Sequence, residues 1–511
     1  MINGIGNIFD IKLFSKLMVY VKPYKKTYYF VMTSAIILAG FSALTPYLLK
    51  ITVDDYIRLK DFNGMVFLIG MMLFALFSEV IFQFLFVYFA NWLGQNVIRD
   101  LRVVLFKKIV GFKMAYFDKS AVGRLVTRAV NDIETIASIF SQGLFMIIAD
   151  LLKMAVVILI MLFIDWELSL IVFSVLPIIL YATRIFQKSM KTAFEEVRFQ
   201  VANLNSFVQE RITGIQIVQL FHREKIEYDY FESINEKHKK AWLKTVWYNS
   251  IFFPIAEISS SITLGLLVWY GGLNVVAGGS ISMGTIFLFI QMSQMLFRPL
   301  RHIADKFNTL QMGMVAADRI FKIIKTESQV IDNGQLSPKK IQGKIRIDGL
   351  RFSYIEGEEV IKGLDLDIQQ GEKIAIVGST GAGKSTLINL LTRFYEFEKG
   401  EIYFDNRSIK DFTLQSLREH VGIVLQDVFL FADTIFNNIT LYNPNVTRSM
   451  VYMAAKEIGV HDFIESLPGG YDYNVKERGV MLSSGQRQLI AFLRVYIANP
   501  SILILDEATS S

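Results

Sequence analysis

Five charge-poor apolar stretches lie within the first 310 residues, and they leave the chain few ways to fold in water. Thr27–Leu49 has no charge, with Lys25 and Lys26 before it and Lys50 after it. Phe62–Ile98 has one charge, Glu79, and Thr135–Ile164 has two, Asp150 and Lys153. Leu168–Thr183 has none around Pro177. Thr245–Phe297 has only Glu257, and the polar, glycine-rich Gly271–Ser282 divides it in two. A membrane-crossing helix takes about 20 apolar residues, so the stretches predict six spans. Composition agrees: 52% of the 511 residues are apolar and 20% charged, which excludes a disordered chain. The 42 phenylalanines suit lipid-facing surfaces.

Loop charges orient these spans. Lys12, Lys16, Lys22, Lys25 and Lys26 precede the first. Arg99, Arg102, Lys107, Lys108, Lys113, Lys119, Arg124 and Arg128 lie between the second and third. Arg184–Lys244, between the fourth and fifth, is equally rich in Lys and Arg. The positive-inside rule places both termini and the two long basic loops in the cytoplasm. Val97, Leu101, Val104, Leu105 and Lys108 follow a helical period, so the second helix is expected to run far beyond the bilayer. Arg184–Lys244 mixes both charge signs with spaced apolar residues, as a long solvated helical hairpin would. The N-terminus lacks the short apolar core and cleavage site of a signal peptide. The net charge of +6 gathers beside apolar spans, which speaks against a nucleic-acid partner. With no cysteine, disulfides, thiol catalysis and cysteine-ligated metals are excluded.

After Lys325 the texture changes. Residues 1–325 read as a membrane domain and 326–342, with Gly334 and Pro338, as a linker. Residues 343–511 alternate short strand patterns with helices: Lys344–Leu350, Lys373–Val377, Gly400–Phe404, Val421–Leu425 and Ile502–Leu505. That alternation predicts an α/β domain.

Three motifs in this part carry chemistry. The apolar run Lys373–Val377 leads into Gly378, Ser379, Thr380, Gly381, Ala382, Gly383, Lys384 and Ser385, and a helix pattern starts at Thr386. This is a phosphate loop in its strand–loop–helix setting. Its backbone N–H groups and helix end would cradle phosphates. Lys384 would reach the β- and γ-phosphates and Ser385 would ligate Mg²⁺. Ile502–Leu505 is an apolar strand that ends in Asp506 and Glu507. Carboxylates at such a strand end sit beside the phosphate loop, so Asp506 is expected in the Mg²⁺ shell and Glu507 to polarise the attacking water. Leu482-Ser483-Ser484-Gly485-Gln486 precedes an amphipathic helix. Two readings fit that spacing: a plain capped helix, or a second anion-binding helix end.

The phosphate loop, LSSGQ and LDE in this order resemble the ATP-binding cassette family. Six apolar spans ahead of one cassette are similar to its exporter-type half-transporters, which move drugs or lipids. Ser484 departs from the commonest signature, LSGGQ, and leaves Ser483 and Gly485 in place. The resemblance implies further roles. Tyr354 stands where an aromatic stacks on adenine. Gln426 stands where a glutamine touches Mg²⁺ and senses the membrane domain. Glu477-Arg478-Gly479 resembles a segment that communicates with membrane-domain loops. Phe117-Asp118 with Gly123–Leu125 and Asp132 resembles a first coupling loop, and Glu210 to Phe221 a second. ATP would sit between the phosphate loop of one cassette and the signature of another. The unit would then be a dimer with a second half-transporter, identical or not, which exports or flips a small amphipathic or hydrophobic substrate by alternating access among membrane lipid. An ATP-gated channel or regulatory subunit on the same scaffold is the alternative, and Glu507 speaks against it. In the family a histidine follows the catalytic acid. His420 and His461 both precede LSSGQ, so the sequence is expected to be part of a longer protein. Among the intramembrane charges, Asp150 and Lys153, one turn apart, are expected to pair with each other. Glu257, near Ser259, Ser260 and Ser261, is the candidate for a translocation cavity.

Overall fold

The computed structural model describes residues 11–506 and divides into two compact units. One runs to Ile109 and resumes from Gly123 to Thr326; the other joins Val110–Val122 to everything from Glu327 on. The cassette unit therefore includes part of the first basic loop.

Six long helices form the first unit among the described residues: Lys25–Ile51, Phe62–Val110, Phe145–Ile164, Trp166–Thr213, Glu224–Val276 and Met283–Lys325. The second, with 49 residues, is about 70 Å long at ~1.5 Å per residue, more than twice a ~30 Å hydrocarbon core. The expected helical hairpin is present. Trp166–Thr213 and Glu224–Val276 pack along each other, with the short helix Ile215–Leu220 at the turn. Lys244 bonds Glu196 at 2.8 Å across it, and Arg211 reaches Glu227.

Among the described residues, five helical stretches, Lys22–Ile57, Phe62–Val110, Val122–Ile164, Trp166–Thr213 and Glu224–Val276, are by themselves long and apolar enough to cross a membrane. The sixth helix has the length, but Gln291, Ser293, Gln294 and Arg298 interrupt its apolar run. Its apolar residues Leu288, Phe289, Met292, Leu296 and Phe297 lie in a buried cluster with Val157, Val172 and Leu267. Its start is set by Ser282, whose hydroxyl accepts from the Thr285 amide, and by Asp54, which accepts from the Gly284 amide at 2.8 Å. Gly271 and Gly272 stay helical, so the break is the shorter Ala277–Ser282.

One expectation, about charge, needs correction. Asp150 does not pair with Lys153. Asp150 meets Lys306 on the sixth helix, and Lys153 lies 3.8 Å from Glu79 on the second. Charges at bilayer depth are costly without partners. Pairing within one helix would have left Glu79 and Lys306 uncompensated, whereas pairing across helices neutralises all four. Glu257 is exposed on its helix.

The cassette unit contains two sheets among the described residues. β1 (Ile345–Ser353) pairs antiparallel with β2 (Glu359–Ile368) and β3 (Lys399–Phe404), and β3 pairs with β4 (Arg407–Ser408). β5 (Val421–Val424) and β6 (Ile502–Leu505) pair in parallel. Ile345, Ile347, Leu350 and Phe352 of β1 bury against Ile402, Phe404, Leu387 and Leu390. A second core gathers Leu430, Ile435, Val451, Tyr471, Leu482, Ile490 and Leu493 between helices. Burial pushes the Tyr471 hydroxyl up to about 12.

The apolar run Lys373–Val377 is not a strand. It joins neither sheet, and Ile374, Ile376 and Val377 are exposed. An apolar pattern reports a wish for burial; a strand also needs a hydrogen-bonding neighbour, and none of the described strands supplies one. The polar segment read as a linker is tied down. Phe112 bridges Gln329, and Leu336 bridges Phe412. Gly334 is required there, since a Cβ would lie 1.9 Å from the Phe412 carbonyl oxygen.

Candidate active site

The phosphate loop turns into the helix Lys384–Leu391 at Gly383, which holds φ +91°. Gly381 lies at φ +87°. Both are left-handed values that a side chain would strain. A Cβ on Gly378 would stand 3.1 Å from that of Ala382, so a side chain there would crowd the loop. The helix has no side-chain N-cap, so no capping side chain takes its first amides. Lys384 curls over the loop, donating to the carbonyl oxygens of Gly378 at 2.7 Å and Ser379 at 3.1 Å. Its ammonium is therefore held at the loop itself. Leu387, Leu390 and Leu391 anchor the helix in the core.

Tyr354 follows β1, far from the loop in sequence, yet its hydroxyl donates to Thr386 at 3.3 Å and accepts from Asn389 at 3.3 Å. The structure thus brings Tyr354 and Thr386 together, with the tyrosine 38% exposed and open to a flat ligand. Asn389 and Tyr395, whose ring stands against Tyr354, carry no sequence signal of their own and escape a reading by motif. Arg418 also escapes it. It closes the far end of the phosphate-loop helix by donating to the carbonyl oxygens of Thr392 at 3.2 Å and Arg393 at 3.1 Å. That places a cation at the negative end of the helix. Burial, with Arg393 alongside, pulls the Arg418 guanidinium below its usual value.

Asp506 continues β6, and its amide donates to the Val424 carbonyl of β5 at 2.9 Å. Gln426 leaves the same strand edge two residues later and is exposed. Asp506 and Gln426 therefore share one sheet edge. No ladder joins residues 373–377 to that sheet, so the phosphate loop is not carried on it as a strand. Glu507 lies outside the described residues.

At Leu482–Gln486 the capped helix is what forms. Ser483 is the N-cap of Ser484–Ala498: its hydroxyl accepts from the Gln486 amide at 3.2 Å, and the Gln486 side chain accepts from the Ser483 amide at 2.9 Å. Just before it, Arg478 and Gly479 adopt φ +55° and +68°. A Cβ on Gly479 would stand 2.9 Å from Leu430 and 3.1 Å from Arg487, so the turn packs tightly against the signature helix.

The donors Ser385, Gln426 and Asp506 are all oxygens, which is the set a hard cation such as Mg²⁺ takes. Among the described residues, no cluster of three His, Asp or Glu forms a separate metal cage.

Comparison with known proteins agrees on both parts. Residues 28–300 match the ABC transporter transmembrane region, and residues 361–510 match the ABC transporter family model. The chain is 34% identical over 505 residues to YknV, named an ABC transporter ATP-binding protein, of Bacillus subtilis (97% of this chain, 82% of that protein). It is 31% identical over 501 residues to the ATP-dependent lipid A-core flippase of Syntrophus aciditrophicus (98% and 83%). It is 32% identical over 508 residues to YgaD of Bacillus subtilis, provisionally named a multidrug export ATP-binding/permease protein (97% and 87%). A multi-pass helical membrane part, an ATP-binding cassette that works in the cytoplasm and this likeness along both make the chain a member of the ABC transporter family, of the ATP-hydrolysing exporter half-transporter type.

Proposed function

We propose that two such half-transporters form one exporter for amphipathic or hydrophobic compounds, drug-like or lipid. The partner is a second copy or a related chain. The functional division follows residues 1–325 for translocation, 326–342 as linker and 343–511 for ATP. The observation that carries the reading is the glycine-closed loop with Lys384 at its mouth and Tyr354 tied to Thr386 beside it. A nucleotide laid across them has its base on Tyr354 and its phosphates on the amides of residues 378–386. Lys384 neutralises the β- and γ-oxygens. Ser385, Gln426 and Asp506 would hold Mg²⁺, which supplies positive charge to the phosphates when bound. Glu507 orients water as general base. Ser483, Ser484, Gly485 and Gln486 of one cassette cover the γ-phosphate held by the other.

ATP does work here by binding the closed arrangement more tightly than the open one; hydrolysis removes that preference. Both coupling loops carry the change to the long helices. The half-buried pairs Glu79–Lys153 and Asp150–Lys306 bridge three of those helices.

The test is reconstitution in liposomes with two probes, Hoechst 33342 and a fluorescent phosphatidylethanolamine. An exporter moves at least one of them vectorially, with ATP turnover raised by that probe. An ATP-dependent ion conductance with no turnover linked to either probe would support the channel alternative instead.

A further inference from the structure

We propose that Tyr395 is a positioning residue that couples occupation of the nucleotide site to the first coupling helix, Met114–Asp118. Three contacts meet on its side chain, one of them with the Phe352 ring, centroids 5.8 Å apart. Its ring stands edge-on to Tyr354, with centroids 4.9 Å apart and planes at 89°, the favoured arrangement for two aromatic quadrupoles. Its hydroxyl donates to the Asp118 carboxylate at the end of the coupling helix. Tyr354 is itself bonded to Thr386 and Asn389 of the phosphate-loop helix. A base that stacks on Tyr354 therefore fixes the ring on which Tyr395 leans, and Tyr395 holds the coupling helix by a carboxylate.

The ring packs on Phe352, Tyr354 and the β1 core, which leaves the hydroxyl end of the side chain as the adjustable part. Arg393 is buried, with its guanidinium bonded to Glu396 and to the carbonyl oxygens of Ile409 and Phe412, so the backbone around Tyr395 is fixed. The coupling helix is tied at its start through backbone bonds: the Lys113 amide to the Ser328 carbonyl at 2.7 Å, and the Val330 amide to the Gly111 carbonyl at 3.1 Å. Its other end is held by Tyr395. A cavity of about 460 Å³, lined by Lys113, Ala115, Val330, Tyr395 and Lys410, opens between them. The helix is thus pinned at two ends with space alongside, and a shift of the Tyr395 hydroxyl tilts it about the fixed end. This inference rests on the reading of Tyr354 as the base platform.

The chain has no cysteine, so Lys119→Cys gives a single spin-label site next to Asp118. The full chain is labelled there in nanodiscs. Two quantities are read: affinity for trinitrophenyl-ATP, and the change in label mobility on adding AMP-PNP. Tyr395→Phe keeps the ring and removes the hydroxyl. It should bind the nucleotide as the parent does and show the parent's nucleotide-free spectrum, with a response to AMP-PNP about fivefold smaller. Asp118→Asn should behave alike, and the double variant should add nothing. An undiminished response in Tyr395→Phe overturns the proposal, as does a lowered affinity or an altered nucleotide-free spectrum. Tyr354→Ala tests the underlying reading separately: it should weaken trinitrophenyl-ATP binding about tenfold through lost stacking. Parent-like affinity there would remove the base platform and leave the Tyr395–Asp118 result to be judged on its own arm.

Discussion

The helix Lys384–Leu391 begins at Gly383 with no side-chain cap, whereas Ser484–Ala498 begins at Ser483 inside a complete capping box. Both helix ends present amides and a positive dipole. In the first, no capping side chain takes those amides. In the second, Ser483 and Gln486 already satisfy two backbone amides between themselves. The difference fits two ends with different work. On the proposed reading the phosphate loop is the anion site, and the signature would exchange cap bonds for phosphate once a second cassette presents one. A site split in this way would close with the dimer and open with it.

The largest effect should come from the base that neither helix supplies. Glu507→Gln keeps the shape of the acid and removes its proton acceptance, and hydrolysis should fall roughly 10²–10⁴-fold. Binding of ATP should persist, and the dimer should remain closed in crosslinking. Turnover at the parental rate would move the catalytic role elsewhere. Next comes the open helix end. Lys384→Ala should cost about 3–4 kcal/mol of transition-state stabilisation, with helix content by circular dichroism unchanged. Retention of most of the ATPase rate would show that the loop amides alone carry the phosphates.

The smallest effect belongs to the capped end. Ser483→Ala and Gln486→Ala should each lower stability by about 1 kcal/mol, read as a shift in thermal unfolding. Together they should cost little more than either, because each serves the same reciprocal box. Their loss of hydrolysis should stay well below that of Lys384→Ala. An equal loss would mean that the two helix ends are not different in kind.

These motifs were legible for physical reasons. Gly378, Gly381 and Gly383 recur because a loop of inward amides requires glycine, and Ser483 with Gln486 is a local pattern of three-residue spacing. The apolar stretches were equally legible, because lipid imposes length and composition together. What pattern could not supply was pairing. The apolar run 373–377 reads as a strand but finds no ladder. Asp150 and Lys153 read as a pair within one helix, and tertiary packing gives each a partner on another. β2, with its charges at Glu359, Lys362, Asp365 and Asp367, hides a strand that pairs with β1 along most of its length. Tyr395 shows the same limit: its partners Tyr354 and Asp118 are set by the fold and have no fixed spacing from it in sequence.

The most direct test of the split site is to mix two crippled chains. Ser483→Arg blocks one helix end and Lys384→Ala disables the other; each alone should form dimers that hardly hydrolyse ATP. A mixed dimer pairs the intact phosphate loop of the first with the intact signature of the second. Differently tagged chains, purified through both tags in sequence, should therefore recover ATP turnover from one composite site. Mixed dimers that form in full yet remain as inactive as either parent would contradict the account.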